Sequence, residues 1–77
     1  LRVYPNPVIN DMTINNAKNI LINSIVFYDI TGKEIQKINI NNNTSYINLD
    51  ISQFTSGVYF LSIDSELGQL NKQVIKK

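Results

Sequence analysis

Six carboxylates are the side chains in this 77-residue sequence best suited to acid–base chemistry, because the chain contains neither histidine nor cysteine. The same absence removes the usual protein ligands of zinc. A glycosidase needs two carboxylates held across a cleft, and a calcium site needs several oxygens at close spacing. Most of the acids here stand in or beside turn sequences, where aspartate ordinarily stabilises the turn. The sequence therefore predicts no catalytic residue, no metal site and no cofactor. The six acids are Asp11, Asp29, Glu34, Asp50, Asp64 and Glu66.

The charge balance also excludes several kinds of partner. A net charge of +1 is far too small for a surface that follows nucleic-acid phosphates. No apolar run is long enough for a membrane span, and no signal-peptide pattern opens the chain. The one basic cluster is at the carboxyl end, at Lys72, Lys76 and Lys77. Because the first residue is Leu1, we expect this chain to be the C-terminal piece of a longer polypeptide. The targeting signal and any active site of that polypeptide would lie upstream.

Isoleucine and asparagine dominate the sequence, with 13 and 12 residues. Isoleucine favours strands, whereas asparagine favours turns and tolerates left-handed backbone. Turn signals recur every 8–12 residues or so, which is typical of an antiparallel sandwich. We therefore predict a single all-β domain over residues 1–77, a small immunoglobulin-like antiparallel β-sandwich of about seven strands. The predicted strands are Leu1–Tyr4, Asp11–Asn15, Ile20–Ile30, Lys33–Ile40, Ser45–Leu49, Val58–Ile63 and Gln69–Lys76.

Connections between these strands carry specific turn chemistry. Asp29–Gly32 has the residues of a type I turn followed by a left-handed glycine, which predicts a tight hairpin with a bulge. The longest strand before it is apolar on both faces, so we expect it to be central and covered on both sides. Asn41–Asn43 is predicted to be a turn and Asp64–Gly68 a hairpin loop. Asp50 is expected to cap a one-turn helical segment over Ile51–Phe54.

Gly57 and Tyr59 open the most apolar strand of the second half, "GVYFLSI". A tyrosine at the start of this strand fits a tyrosine corner, in which the phenol bonds back to upstream backbone. Immunoglobulin domains carry a cysteine two residues later, so Leu61 is expected to pack in that place. The alternative is that Tyr59 is simply a core aromatic.

The stretch Tyr4–Val8, "YPNPV", places two prolines directly after the first strand. Proline cannot donate to a β-ladder and favours extended geometry in the residue before it. We therefore expect an extended segment that cannot be central in a sheet. Separately, Tyr4, Tyr28 and Tyr46 could form a sugar-stacking platform, although sheet aromatics more often pack in the core or across strands.

Three stretches occur in an order that is more specific than any one of them: "VYPNPV", "FTSGVYFLSI" and "GQLNKQVIKK". Together they make the whole chain resemble the C-terminal sorting domains carried by cargo of the type IX secretion system of Gram-negative bacteria. The matching residues are Tyr4, Pro5, Asn6, Pro7, Asp29, Gly32, Leu49, Gly57, Tyr59, Gly68, Lys72 and Lys76.

This resemblance implies a transport role and no catalytic one. The implied partners are the outer-membrane translocon, a sortase-like peptidase and an upstream cargo domain in the same chain, and the destination is the cell surface or the medium. The alternative is an immunoglobulin- or fibronectin-like accessory module, or a carbohydrate-binding one, retained in an extracellular enzyme. The candidate recognition residues are Tyr4, Pro5, Asn6, Pro7, Gly32, Gly57, Tyr59, Lys72, Lys76 and Lys77.

Overall fold

A computed structural model describes all 77 residues as seven strands without a helix. The strands are β1 (Arg2–Tyr4), β2 (Asp11–Asn15), β3 (Ile22–Tyr28), β4 (Glu34–Asn42), β5 (Tyr46–Asp50), β6 (Gly57–Ser65) and β7 (Gly68–Lys76). A three-stranded sheet has the order β1-β2-β5, and a four-stranded sheet has the order β4-β3-β6-β7. All strand pairs are antiparallel. Seven strands in two antiparallel sheets confirm the predicted all-β sandwich.

The core forms because the strands alternate apolar and polar residues and so bury one face each. In β2, Met12 and Ile14 are fully buried, and in β5 Ile47 and Leu49 pair with them across the sheet. The four-stranded sheet supplies the other layer, in which Phe27 is the largest fully buried side chain. One cluster of 13 buried hydrophobic residues therefore holds the two sheets together.

The prediction for the longest strand was right in position and wrong in extent. β3 is central, but it spans Ile22–Tyr28 rather than Ile20–Ile30. Its amino end is shortened because both backbone polar groups of Ile20 bond to the side chain of Asn16. Val26 and Tyr28 on its outer face are only half-buried, since only one sheet packs against β3. The predicted cover on both sides is therefore wrong.

Two of the predicted connections were also misplaced. β4 continues through Asn42, with Asn41 in the left-handed region (φ 53°) at a shift in register, so the connection lies at 43–45. The last hairpin is tighter than predicted, because Ser65 already pairs with Gly68. The Ser65 hydroxyl closes this turn by accepting from the Leu67 N–H (3.2 Å) and donating to the Gly68 carbonyl (2.9 Å).

The two aspartate turns use their carboxylates as predicted, although no helix follows Asp50. Asp50 accepts from the Ser52 N–H (2.9 Å), and Ile51–Phe54 closes a single hydrogen-bonded turn. In the β3–β4 hairpin, one Asp29 oxygen accepts from the Thr31 hydroxyl (2.6 Å) and from the N–H groups of Thr31 and Lys33. Gly32 follows with φ 87°, and the register then shifts by a bulge, as predicted.

Asp29 should give the domain a measurable acid sensitivity. The Thr31 hydroxyl, followed by the backbone N–H groups of Lys33 and Thr31, holds the pKa of Asp29 below its ordinary value of 3.8. A carboxyl with a depressed folded pKa stabilises the fold above its unfolded pKa, and this contribution is lost as pH falls through the folded value. We expect Asp29→Asn to flatten the decline of the urea midpoint below about pH 4. Asp64→Asn, at a carboxylate without hydrogen-bond partners, is the control for the loss of one negative charge.

Tyr59 forms the predicted tyrosine corner and is a core aromatic at the same time. Its hydroxyl donates to the Thr55 carbonyl (2.7 Å) and lies 3.0 Å from the Thr55 hydroxyl. Its ring is buried against Phe54, which packs edge-on against Phe27 with the ring centroids 5.1 Å apart. Leu61 is also buried in the core.

Tyr59→Phe should test the corner without disturbing the packing. We expect a loss of about 1 kcal/mol in the free energy of unfolding, since one partly buried hydrogen bond disappears while the ring remains. Urea denaturation measures this loss, and Tyr28→Phe, at a half-buried tyrosine whose hydroxyl has no partner, is the matched control. Equal stability of Tyr59→Phe and the native domain would contradict a stabilising corner.

Candidate functional site

The proline-rich stretch carries the chain from one sheet to the other. It leaves β1 at Tyr4, and Val8 then forms a parallel bridge with Lys76, the last residue of β7. The chain bends at Asn6 and Pro7, so the predicted extended segment is wrong. The bonds before Pro5 and Pro7 are both cis. The bend is required because β1 and β7 belong to different layers of the sandwich.

Asn6 and Val8 fasten this stretch to the last strand. The Asn6 side-chain oxygen accepts from the Ile75 N–H (3.0 Å), while its amide nitrogen faces the Gln73 carbonyl at 3.5 Å. The Val8 N–H donates to the Ile75 carbonyl (2.7 Å), and the Val8 carbonyl accepts from the Lys77 N–H (2.8 Å). The sequence motifs at the two ends of the chain therefore form one structural unit. The role of Val8 was missed; its only signal was an apolar residue directly after the second proline.

Removing the Asn6 amide should loosen this unit. We expect Asn6→Ala to lower the free energy of unfolding by about 1–2 kcal/mol, because two edge hydrogen bonds are lost. Hydrogen exchange should also show faster exchange at the Ile75 amide, which then has no acceptor. Asn71→Ala, on the uncovered part of β7, is the control. Unchanged protection of Ile75 would contradict the assigned contact.

Several of the predicted recognition residues meet at one end of the sandwich, here called the motif end: residues 5–8, the 29–32 turn, Gly57 and Lys77. The strand registers establish this placement, because Tyr28 pairs with Phe60 and Gly57 pairs with Lys76. The exposed candidates are Tyr4, Pro5, Asn6, Pro7, Gly32, Gly57 and Lys77. Tyr59 is close to this end but buried, so its role there is to support the turn that precedes β6.

Leu1 lies at the opposite end of the strands. It lines a cavity of about 380 Å³ together with Asn16, Lys18 and Leu67. The domain is 30 Å long in its longest dimension. A polypeptide joined before Leu1 would thus meet the sandwich at the end remote from the motif end.

The terminal lysines do not form a common basic surface. Along β7 the even-numbered residues face inward, so Lys72 is half-buried and Lys76 is 8% exposed. The Lys76 ammonium group donates to the Lys77 backbone oxygen (3.0 Å). Of these three lysines, Lys77 is the exposed one. Inward-pointing charges on an edge strand are a known protection against unwanted strand pairing.

The three tyrosines of the sugar-stacking alternative are likewise separated. Tyr28 belongs to β3 in the four-stranded sheet, whereas Tyr4 and Tyr46 flank β2 in the other. No single aromatic platform includes all three. No three acids converge as a metal site would require. The chain also has no helix with the length and hydrophobicity needed to cross a bilayer.

The family model of the secretion system C-terminal sorting domain matches residues 2–77. The chain belongs to the type IX secretion C-terminal sorting domains. No curated relative matches the chain. The sorting domain is a signal rather than a catalyst. It directs a cargo in the same chain across the outer membrane of Gram-negative bacteria to the cell surface or the medium.

Proposed function

We propose that the type IX translocon recognises this sorting domain in its folded form, at the motif end. The observation that carries the proposal is the attachment of Asn6 and Val8 to Ile75 and Lys77, which joins the opening and closing motifs into one surface. A short linear signal would need no such attachment. The translocon would read the exposed members of this surface, while Tyr59 and Lys76 hold it in shape.

A second part of the proposal concerns processing. A sortase-like peptidase would cut the linker before Leu1, then attach the cargo to the cell surface or release it. This order of events is supported by the position of Leu1 at the end opposite the motif end. A bound translocon at the motif end would leave the linker accessible to the peptidase. The domain would be the substrate of this chemistry and would contribute no catalytic group.

Export of a reporter tests the first part. Residues 1–77, fused to a periplasmic reporter in a host with type IX secretion, should bring the reporter to the outside. Tyr4→Ala, at an exposed ring directly before Pro5, should reduce export while its circular dichroism spectrum and melting curve remain close to native. The matched control is Lys18→Ala/Leu67→Ala at the opposite end, which should be exported normally. Unaltered export of Tyr4→Ala would contradict recognition at the motif end.

The last strand needs point substitutions rather than truncation. Deleting 74–77 removes the buried Val74 and the bridge to Val8, so it would impair folding as well as recognition. Lys77→Glu reverses the exposed charge and leaves the core intact. If Lys77 contacts the translocon, this variant should be folded and poorly exported. Normal export would remove Lys77 from the recognition surface.

Intact-mass measurement tests processing. The mature cargo recovered from the cell surface or medium should lack residues 1–77 if the peptidase removes the domain. An accessory module would instead remain attached to the mature protein. Recovery of the full-length chain in a host with an active peptidase would contradict removal.

A further inference from the structure

The four sheet edges differ in how well they are protected. β1 and β5 are short, with three and five residues. β7 has nine residues, but Asn6 and Val8 cover its carboxyl-terminal half. β4 also has nine residues, and no other segment pairs with its outer edge, but register shifts near both of its ends leave Gln36–Asn39 as its regular stretch. Long uncovered edges invite the pairing of another strand, and folded proteins normally block them.

The hydrogen-bonding groups that β4 leaves free can be assigned from the register. Backbone groups of successive residues in an antiparallel strand point alternately to the two neighbours. On β7, Ile75 bonds outward to Asn6 and Val8, so the odd-numbered residues point to the edge. The registers of β6 and β3 carry this alternation across the sheet to β4. There the backbone of Ile38 bonds to that of Ile25, so the free groups at the edge belong to Lys37 and Asn39.

The side chains of β4 are also incompletely covered. A three-stranded sheet lies against a four-stranded one, and β4 is exposed along most of its length. Ile38 and Ile40 face the core but remain half-buried, and Ile35 at the bulge is 42% exposed. A further strand beside β4 would satisfy its free backbone groups and cover the flanks of these isoleucines.

We propose that β4 is a docking edge, at which an extended strand of the secretion machinery pairs with Lys37 and Asn39 and extends the four-stranded sheet. This inference rests on the proposed sorting function and assigns it a second contact, away from the terminal motifs. Strand addition derives affinity from main-chain hydrogen bonds and specificity from alternate side chains. An acidic residue of the partner strand, placed opposite Lys37, would add a cross-strand charge pair. If a second copy of the domain paired in the register centred on Lys37, the two Lys37 side chains would face and repel each other.

Proline substitution distinguishes this edge from that of β7. Asn39→Pro removes an edge N–H that makes no bond within the domain and places a ring where the partner strand would lie. Asn71→Pro makes the same change on the uncovered half of β7 and is the matched control. In the reporter assay, we expect Asn39→Pro to reduce export by about ten-fold, equivalent to ~1.4 kcal/mol of binding. Asn71→Pro should be exported normally, and the melting curve of each variant should show that it is folded.

The outcomes separate the two proposals. If the native domain does not export the reporter, the sorting proposal fails for this chain. If the native domain is exported and folded Asn39→Pro is exported equally well, only the docking edge is overturned. Size-exclusion chromatography gives a further outcome. If the native domain is dimeric, and Asn39→Pro is monomeric but exported normally, the docking edge is overturned in favour of pairing with a second copy.

A cross-linking readout does not depend on whether the proline variants fold. Because the chain has no cysteine, the Lys37→Cys variant can be labelled with a photoactivatable cross-linker at that single position. Mixed with detergent-solubilised outer membranes from the secreting host, it should cross-link to a component of the secretion machinery. Asn71→Cys should not do so. Equal cross-linking from both positions, or none from Lys37→Cys, would overturn the proposal.

Discussion

Phe27→Ala should lower the free energy of unfolding by about 3–5 kcal/mol and prevent export of a fused reporter. Phe27 is fully buried in the central strand β3 and packs edge-on against Phe54. A domain of this size has only roughly 4–12 kcal/mol of stability in total. The cavity left by the ring would therefore remove much of the domain's free energy of unfolding. The melting temperature should fall by more than about 12 °C.

The same substitution tests whether the signal is a folded surface. Phe27 contributes nothing to the exterior, so its removal should affect export only through folding. Phe27→Leu keeps most of the buried volume and should retain both stability and export. Phe60→Ala, at a ring that is 41% exposed, is the control for losing an aromatic side chain and should change stability by less than Phe27→Ala. Full export of an unfolded Phe27→Ala domain would mean that the translocon reads a linear sequence, contrary to our proposal.

Strand alternation and turn chemistry made most of the fold predictable. The burial of Met12 and Ile14, and the bulged hairpin at Asp29–Gly32, follow from side-chain period and from the glycine that the turn requires. The tyrosine corner at Tyr59 was predictable because a turn and a glycine precede it. These features are local, so neighbouring residues specify them.

The errors arose where distant residues determine the local structure. The path of Pro5 and Pro7 depends on β7, which lies about seventy residues along the chain and was not visible as a neighbour. Likewise, the lysines of β7 suggested a basic surface until the register placed Lys76 on the inner face. Strand pairing selects the face that a charged residue occupies, and the charge pattern alone does not.

Asn16 is the most consequential residue that sequence analysis passed over. It belongs to the polar stretch "NAKN", which lies between the predicted strands Asp11–Asn15 and Ile20–Ile30. In the structure its side chain is 1% exposed, and its amide nitrogen donates to the carbonyls of Ile20 (2.9 Å) and Thr44 (3.0 Å). Its side-chain oxygen accepts from the Ile20 N–H (3.2 Å). Among twelve asparagines, nothing in the sequence marked this one as buried.

Asn16→Ala should therefore lower the free energy of unfolding by about 3 kcal/mol, although the side chain lies in a loop. The substitution leaves two carbonyls and one N–H without partners between the β2–β3 and β4–β5 connections, and buried unpaired groups are costly. We expect the melting temperature to fall by roughly 12–24 °C. The control is Asn15→Ala, one residue earlier, where the side chain makes no hydrogen bond.

Asn16→Asp separates loss of hydrogen bonds from loss of volume. Aspartate has nearly the same shape, but an oxygen replaces the donating nitrogen and faces the Ile20 and Thr44 carbonyls. It should destabilise the domain at pH 7 at least as much as alanine does, because a charge is then buried against two acceptors. If Asn16→Asp is close to native in urea denaturation, the loop is held by packing and the amide contacts are incidental. If both variants are strongly destabilised, the end of the sandwich that contains Leu1 depends on one side chain that bridges two loops.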